Sequence, residues 1–145
     1  MMDAAAATQL LVVTLDRLPG WMLPALGSTW VAMPAVDALA ARGVVLDRVI
    51  ATGDDDLATL RGLGLATLAR DAVVVTDAPH VAAAAAGADV RLVEATGCRT
   101  AESADATHLA RWSAAAVAAI AAGRRGVVWC HAASLGLSLI HISEP

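Results

Sequence analysis

The feature that most constrains this chain is a run of seven residues, Gln9 to Leu15, that carries no charge and does not alternate polar with apolar. A strand exposed on one face alternates; an uncharged, continuous run suits a strand buried on both faces. Ala72–Thr76 and Gly126–His131 repeat the pattern, and Val90–Glu94, which carries Arg91 and Glu94, reads as another strand. Val44–Ala51 reads as a further strand, with Leu46, Arg48 and Ile50 alternating with Val45, Asp47 and Val49.

Helical segments lie between these runs. Pro34 suits a first helical turn, Ala35–Arg42 supplies the body and Gly43 the stop. Asp54, Asp55 and Asp56 place acids at the positive end of a helix running to about Ala69. Pro79 opens a short helix through the Ala82–Ala86 run, closed by Gly87, and Ala104–Ala122 forms the longest helix, ended by Gly123. Arg17–Val31, with two prolines and two glycines, is a loop. Strands alternating with helices predict an α/β fold: a mostly parallel sheet with helices on both faces. Such sheets bind ligands at the carboxyl ends of their strands. Asp16, Asp77, Glu94 and His131 stand at those ends.

Composition narrows the function classes. Of 145 residues, 58% are hydrophobic, and 36 of them are alanine, so the core is built from small side chains. The net charge is −4, and all ten basic residues are Arg, which leaves no basic surface for a nucleic acid. The uncharged stretch Trp112–Gly123 is shorter than the roughly 18 apolar residues of a membrane span. The first eight residues lack a positive n-region, so no secretory signal is expected, and a cytoplasmic location follows. Cys98 and Cys130 form no CxxC pair and read as separate core or loop residues. Trp21 and Trp30 flank the loop after Asp16 and are expected to anchor packing.

No phosphate-cradling glycine loop, HExxH, GxSxG or CxxC is present. Two blocks carry the remaining signal: Leu10-Leu-Val-Val-Thr-Leu-Asp-Arg-Leu18, and Trp30 through Pro34-Ala-Val-Asp-Ala-Leu-Ala-Ala-Arg-Gly-Val-Val-Leu46 to Ala51-Thr52. In order and spacing they resemble the start of the sulfatase family, in the alkaline-phosphatase-like superfamily. There a strand ending in Asp precedes a loop and then a "TPNLDALAARGVVF" type segment. Weaker similarity continues through Val73–Asp77 and Val127–His131. The resemblance covers about 125 residues and implies an incomplete alkaline-phosphatase-like domain, residues 1–136, being the amino-terminal part of a sulfatase-like ester hydrolase.

That resemblance implies a divalent cation, Ca or Mg, held by oxygen ligands, and a small sulfate or phosphate ester as substrate. Asp16 matches the family's first metal position, although Arg17 follows where many members have a second acid. The family nucleophile, Cys or Ser in a CxPSR-type motif, has no counterpart: Gly53-Asp-Asp-Asp-Leu-Ala-Thr-Leu-Arg61 contains no Cys, Ser or Pro. Asp56 falls near the nucleophile position, where it is a candidate cation ligand or a solvated helix start. Thr59 is the nearest hydroxyl, and Arg61 stands one residue out of place. The expectation is a branch that has lost its covalent nucleophile and is non-catalytic.

Leu137–Pro145 differs in composition from the rest and resembles a translated sequencing-adapter tail, so His141 enters no site. His80 reads as a surface loop residue. His108 reads as a solvated partner of Asp105, and His131 as a hydrogen-bonded core histidine or a residue lining the ligand end. A second reading stays open: a self-contained, doubly wound α/β binding module without catalysis.

Overall fold

The computed structural model describes residues 9–16, 18–47, 72–85, 87–94, 103–123 and 126–133. Four strands, β1 (Gln9–Leu15), β2 (Val73–Thr76), β3 (Asp89–Leu92) and β4 (Gly126–Ala132), form one sheet in the order β1-β4-β2-β3. Every pairing is parallel. The helices are α1 (Pro34–Ala40), α2 (Pro79–Ala84) and α3 (His108–Ala121).

The chain leaves β2, passes through α2 and adds β3 on the outside. It then returns through α3 and inserts β4 between β1 and β2. Parallel crossovers are right-handed, so an outward step and a return step place their helices on opposite faces. The core divides accordingly. Val73, Val75, Val128, Cys130 and Ala132 pack under Trp112, Ala116 and Ala119 of α3. Val74 and Trp129 pack with Ala78, Val81 and Ala85 on the α2 side. Helices cover both faces, as the sequence predicts, and β4 is buried from Val127 to Ala132.

Small residues let α3 lie close to the sheet. Trp112, Ala116 and Ala119, at i, i+4 and i+7, make its buried stripe. The helix begins later than expected. Ala104–Ala106 is a separate 3-10 turn, and Thr107, in extended conformation, accepts a hydrogen bond from the Ala110 N–H as the N-cap. It ends where expected: Gly123 takes φ 61°, a left-handed conformation that glycine adopts without a Cβ penalty.

Two expectations are corrected. Val44–Asp47 is not part of a strand, and Val44 and Leu46 are 87% and 72% exposed. A strand needs a neighbour for its backbone groups. Beside β1, the strand that closes the sheet is β4, from the far end of the sequence. The remainder of that segment, 48–51, lies outside the described residues, as do the helix expected from Asp54 to about Ala69 and the tail from Leu137. Trp21 and Trp30 do not anchor packing. They meet edge to face, ring centroids 6.1 Å apart, and are 65% and 81% exposed.

Candidate functional site at the carboxyl end of the sheet

Parallel strands bring their carboxyl ends to one side of the sheet, where Asp16 and Asp77 directly follow β1 and β2, Glu94 lies two residues past β3 and His131 is the last residue but one of β4. Asp16 follows β1 directly. Its N–H donates to the Ala132 carbonyl at 2.9 Å, which extends the β1–β4 ladder by one bond and fixes where the residue sits.

Two polar clusters occupy this edge, one on each face. On the α2 side, Thr14, His131 and Thr76 share one register row across β1, β4 and β2. Thr14 Oγ1 lies 2.9 Å from His131 Nδ1, and Trp129 Nε1 donates to Thr14 Oγ1 at 2.9 Å. The indole N–H fills one lone pair of the hydroxyl, and the imidazole engages the rest of it. His131 is 1% exposed, so this is the hydrogen-bonded core histidine of the sequence reading. Its carbonyl accepts from Trp112 Nε1 at 2.9 Å, which ties α3 to β4 at the same level. Thr76 accepts from the Ala78 N–H at 3.1 Å and steers the chain from β2 into α2.

On the α3 side the organising residue is Asp77, whose side chain is only 2% exposed. Oδ1 accepts from the Ala133 N–H at 2.7 Å, and Oδ2 lies 3.1 Å from His108 Nε2. One carboxylate thereby joins the ends of β2 and β4 to the first turn of α3. His108 is not the solvated partner of Asp105; it is drawn 31 residues back along the sequence to Asp77. The sequence signal reached only the acid directly after a strand; the cap at Thr107 that sets His108 at the start of α3 is seen in the structure alone.

Among the described residues no three His, Cys, Asp or Glu side chains cluster closely enough to hold a metal ion. Asp16 supplies one carboxylate, and a hard cation takes several oxygen ligands. Asp56, Thr59 and Arg61 lie outside the described residues, so the structure neither joins them to Asp16 nor separates them from it. Cys130 is buried in the core beneath α3, where desolvation pushes its thiol above the ordinary value of 9.0 and keeps it protonated. Among the described residues no helix is long and apolar enough to cross a membrane.

Comparison with protein-family models, with curated proteins and with solved structures finds no match.

Proposed function

We propose that this chain is part of a sulfatase-like domain of the alkaline-phosphatase-like class, built to bind a small sulfate or phosphate ester and lacking the covalent nucleophile. The observation that carries the reading is the position of Asp16. It closes the first strand of an all-parallel sheet, at the edge where such sheets bind ligands. The sequence blocks around it have the order and spacing of the family's opening segments. A hard cation such as Ca or Mg would use Asp16 as one of several oxygen ligands.

The test is calorimetric titration of the chain with Ca2+ and Mg2+, alone and with a nitrophenyl sulfate or phosphate. Asp16→Ala is expected to weaken cation-dependent ester binding at least about tenfold, the loss of one charged ligand. Equal binding by the variant and the parent chain overturns the reading.

The second reading, a self-contained binding module, is favoured by the closed packing of both faces of β2 and β4. It predicts a monomer that unfolds cooperatively. The first reading predicts a chain that associates through β1.

A further inference from the structure

Past Arg111, helix α3 is uncharged around its whole circumference: no charged residue lies between Trp112 and Gly123. A helix on the surface of a globular protein keeps charged and polar residues outward, and one that is apolar all round belongs in an interior. The inner stripe of α3, Trp112, Ala116 and Ala119, is buried on the sheet. Its outer face, with Ala114, Val117, Ala118 and Ala121, is exposed. The right-handed return from β3 to β4 turns the flank with Leu109, Val117 and Ile120 toward β1. Gln9 Nε2, on the same face of β1 as Leu11, lies 3.5 Å from the Ile120 carbonyl oxygen, which sets that flank beside β1. Strand and helix thereby form a step. Leu11, Val13 and Leu15 are the tread, Leu109 and Val117 the riser, and Ala114, Ala118 and Ala121 the ledge, and all of them are exposed.

We propose that this step is the interface of a two-fold dimer, with a second copy of the chain as its occupant; the inference goes beyond the ester-binding reading and does not depend on it. A step is complementary to itself. A two-fold axis along the strands sets the ledge of each copy on the tread of the other and brings the two risers together, an isologous contact that closes at two. The packing this needs already exists within one copy. Ala116 and Ala119 of α3 lie in one cluster with Val128, Cys130 and Ala132, and Leu11, Val13 and Leu15 continue that row across the register. An alanine face of the partner's α3 would cover the rest of the row in the same way. Charge favours this surface too. Two copies at −4 each repel, and the step is where they can meet without opposing like charges. Its size is sufficient. The 14 residues of α3 span about 21 Å and the seven of β1 about 23 Å, so three surfaces about 10 Å wide give about 600 Å² per copy. The pair would bury about 1,200 Å², the lower end of stable interfaces.

The experiment is analytical ultracentrifugation of the full chain over a range of concentrations. A monomer–dimer equilibrium that stops at two is expected. Val117→Arg and Val117→Glu each set like charges against each other at the axis and should weaken the dimer at least about 100-fold. Val117 is 64% exposed and both replacements are good helix formers, so circular dichroism should show α3 intact. Mixing the two variants should restore the dimer, because opposite charges then face each other, and only a residue that meets its own copy behaves in this way. A parent chain that stays monomeric overturns the proposal, as does assembly that continues past two, and neither result needs a variant to fold. Association unchanged in Val117→Arg, or a mixture that recovers no dimer, also overturns it. None of these outcomes alters the Asp16→Ala titration, so the two readings fail separately.

Discussion

At the scale of the residue, the structure concentrates its risk in a few shared polar atoms. Thr14 Oγ1 serves both Trp129 Nε1 and His131 Nδ1, in a site where His131 is 1% exposed. Thr14→Val keeps shape and volume but strands a buried indole N–H. We expect it to cost about 1–3 kcal/mol, the usual range for an unsatisfied buried donor, read from the urea midpoint. Thr14→Ser, which keeps the oxygen, should recover most of it, and equal stability of the Val variant would show that the row carries no weight. Cys130 makes a different prediction, and its sign follows from linkage. Burial raises the folded thiol above 9.0, so the unfolded thiol is the first to lose its proton. The contribution is constant below pH 9.0 and is lost as pH rises from there toward the folded value. The slope is at most about 1.4 kcal/mol per pH unit for one group. The chain has no Lys and no Tyr, and the other groups of that range, Cys98 and the terminal amine, are common to the parent and the variant. Stability measured from pH 8 to 10 should fall more steeply in the parent chain than in Cys130→Ala.

At the scale of the element, the packing of α3 depends on what its buried stripe lacks. Ala119 is 0% exposed against Val73, Val75 and Val128, and Ala116 is 7% exposed beside it. Ala119→Leu should therefore force the helix off the sheet and cost about 1–3 kcal/mol by thermal or urea unfolding, although leucine is an equally good helix former. A neutral result would mean that the helix has room to move. The elements that the residues made legible share this dependence on local signals. Gln9–Leu15 is a strand with the ends read from the sequence, paired along its length with β4, but the burial on both faces expected of an uncharged run is not found: Leu10, Leu11, Val13 and Leu15 are exposed. Gly123 stops α3 because its φ of 61° is glycine's. What misled was everything decided at a distance. Val44–Asp47 has β-branched and apolar residues but no strand beside it. Thr107 looks like helix interior until its cap geometry separates the 3-10 turn from α3. The candidate site behaved in the same way. Strand ends were legible, which located Asp16, Asp77 and His131. The partner of Asp77 was not, because the helix that delivers His108 arrives after a whole β-α-β excursion.

At the scale of the whole molecule, apolar surface is distributed unevenly, and the imbalance has a consequence. Of the fifteen large hydrophobics exposed among the described residues, twelve lie between Leu10 and Leu46. β2 and β4 are covered on both faces, whereas β1 shows Leu11, Val13 and Leu15 on its α3 side at 44%, 52% and 37% exposure. Through the register these three continue the row of Val128, Cys130 and Ala132, so the α3-side core runs out from under its helix at β1. Among the described residues β1 is also an edge, with no charge and no proline along its seven residues, the kind of edge that natural sheets blunt. Its exposed apolar side chains favour the addition of another apolar surface. We therefore expect the chain to self-associate, with light scattering that rises with concentration and with added sulfate, which strengthens apolar burial. Val13→Lys places a charge on the α3-side face of that edge, at a position 52% exposed. It should suppress the association while leaving the secondary structure by circular dichroism intact, because Val13 is already half exposed and little buried contact is lost. A parent chain that sediments as a monomer at every concentration, with a single cooperative unfolding transition, would count against the reading of β1 as an interior strand. It would favour the self-contained binding module instead.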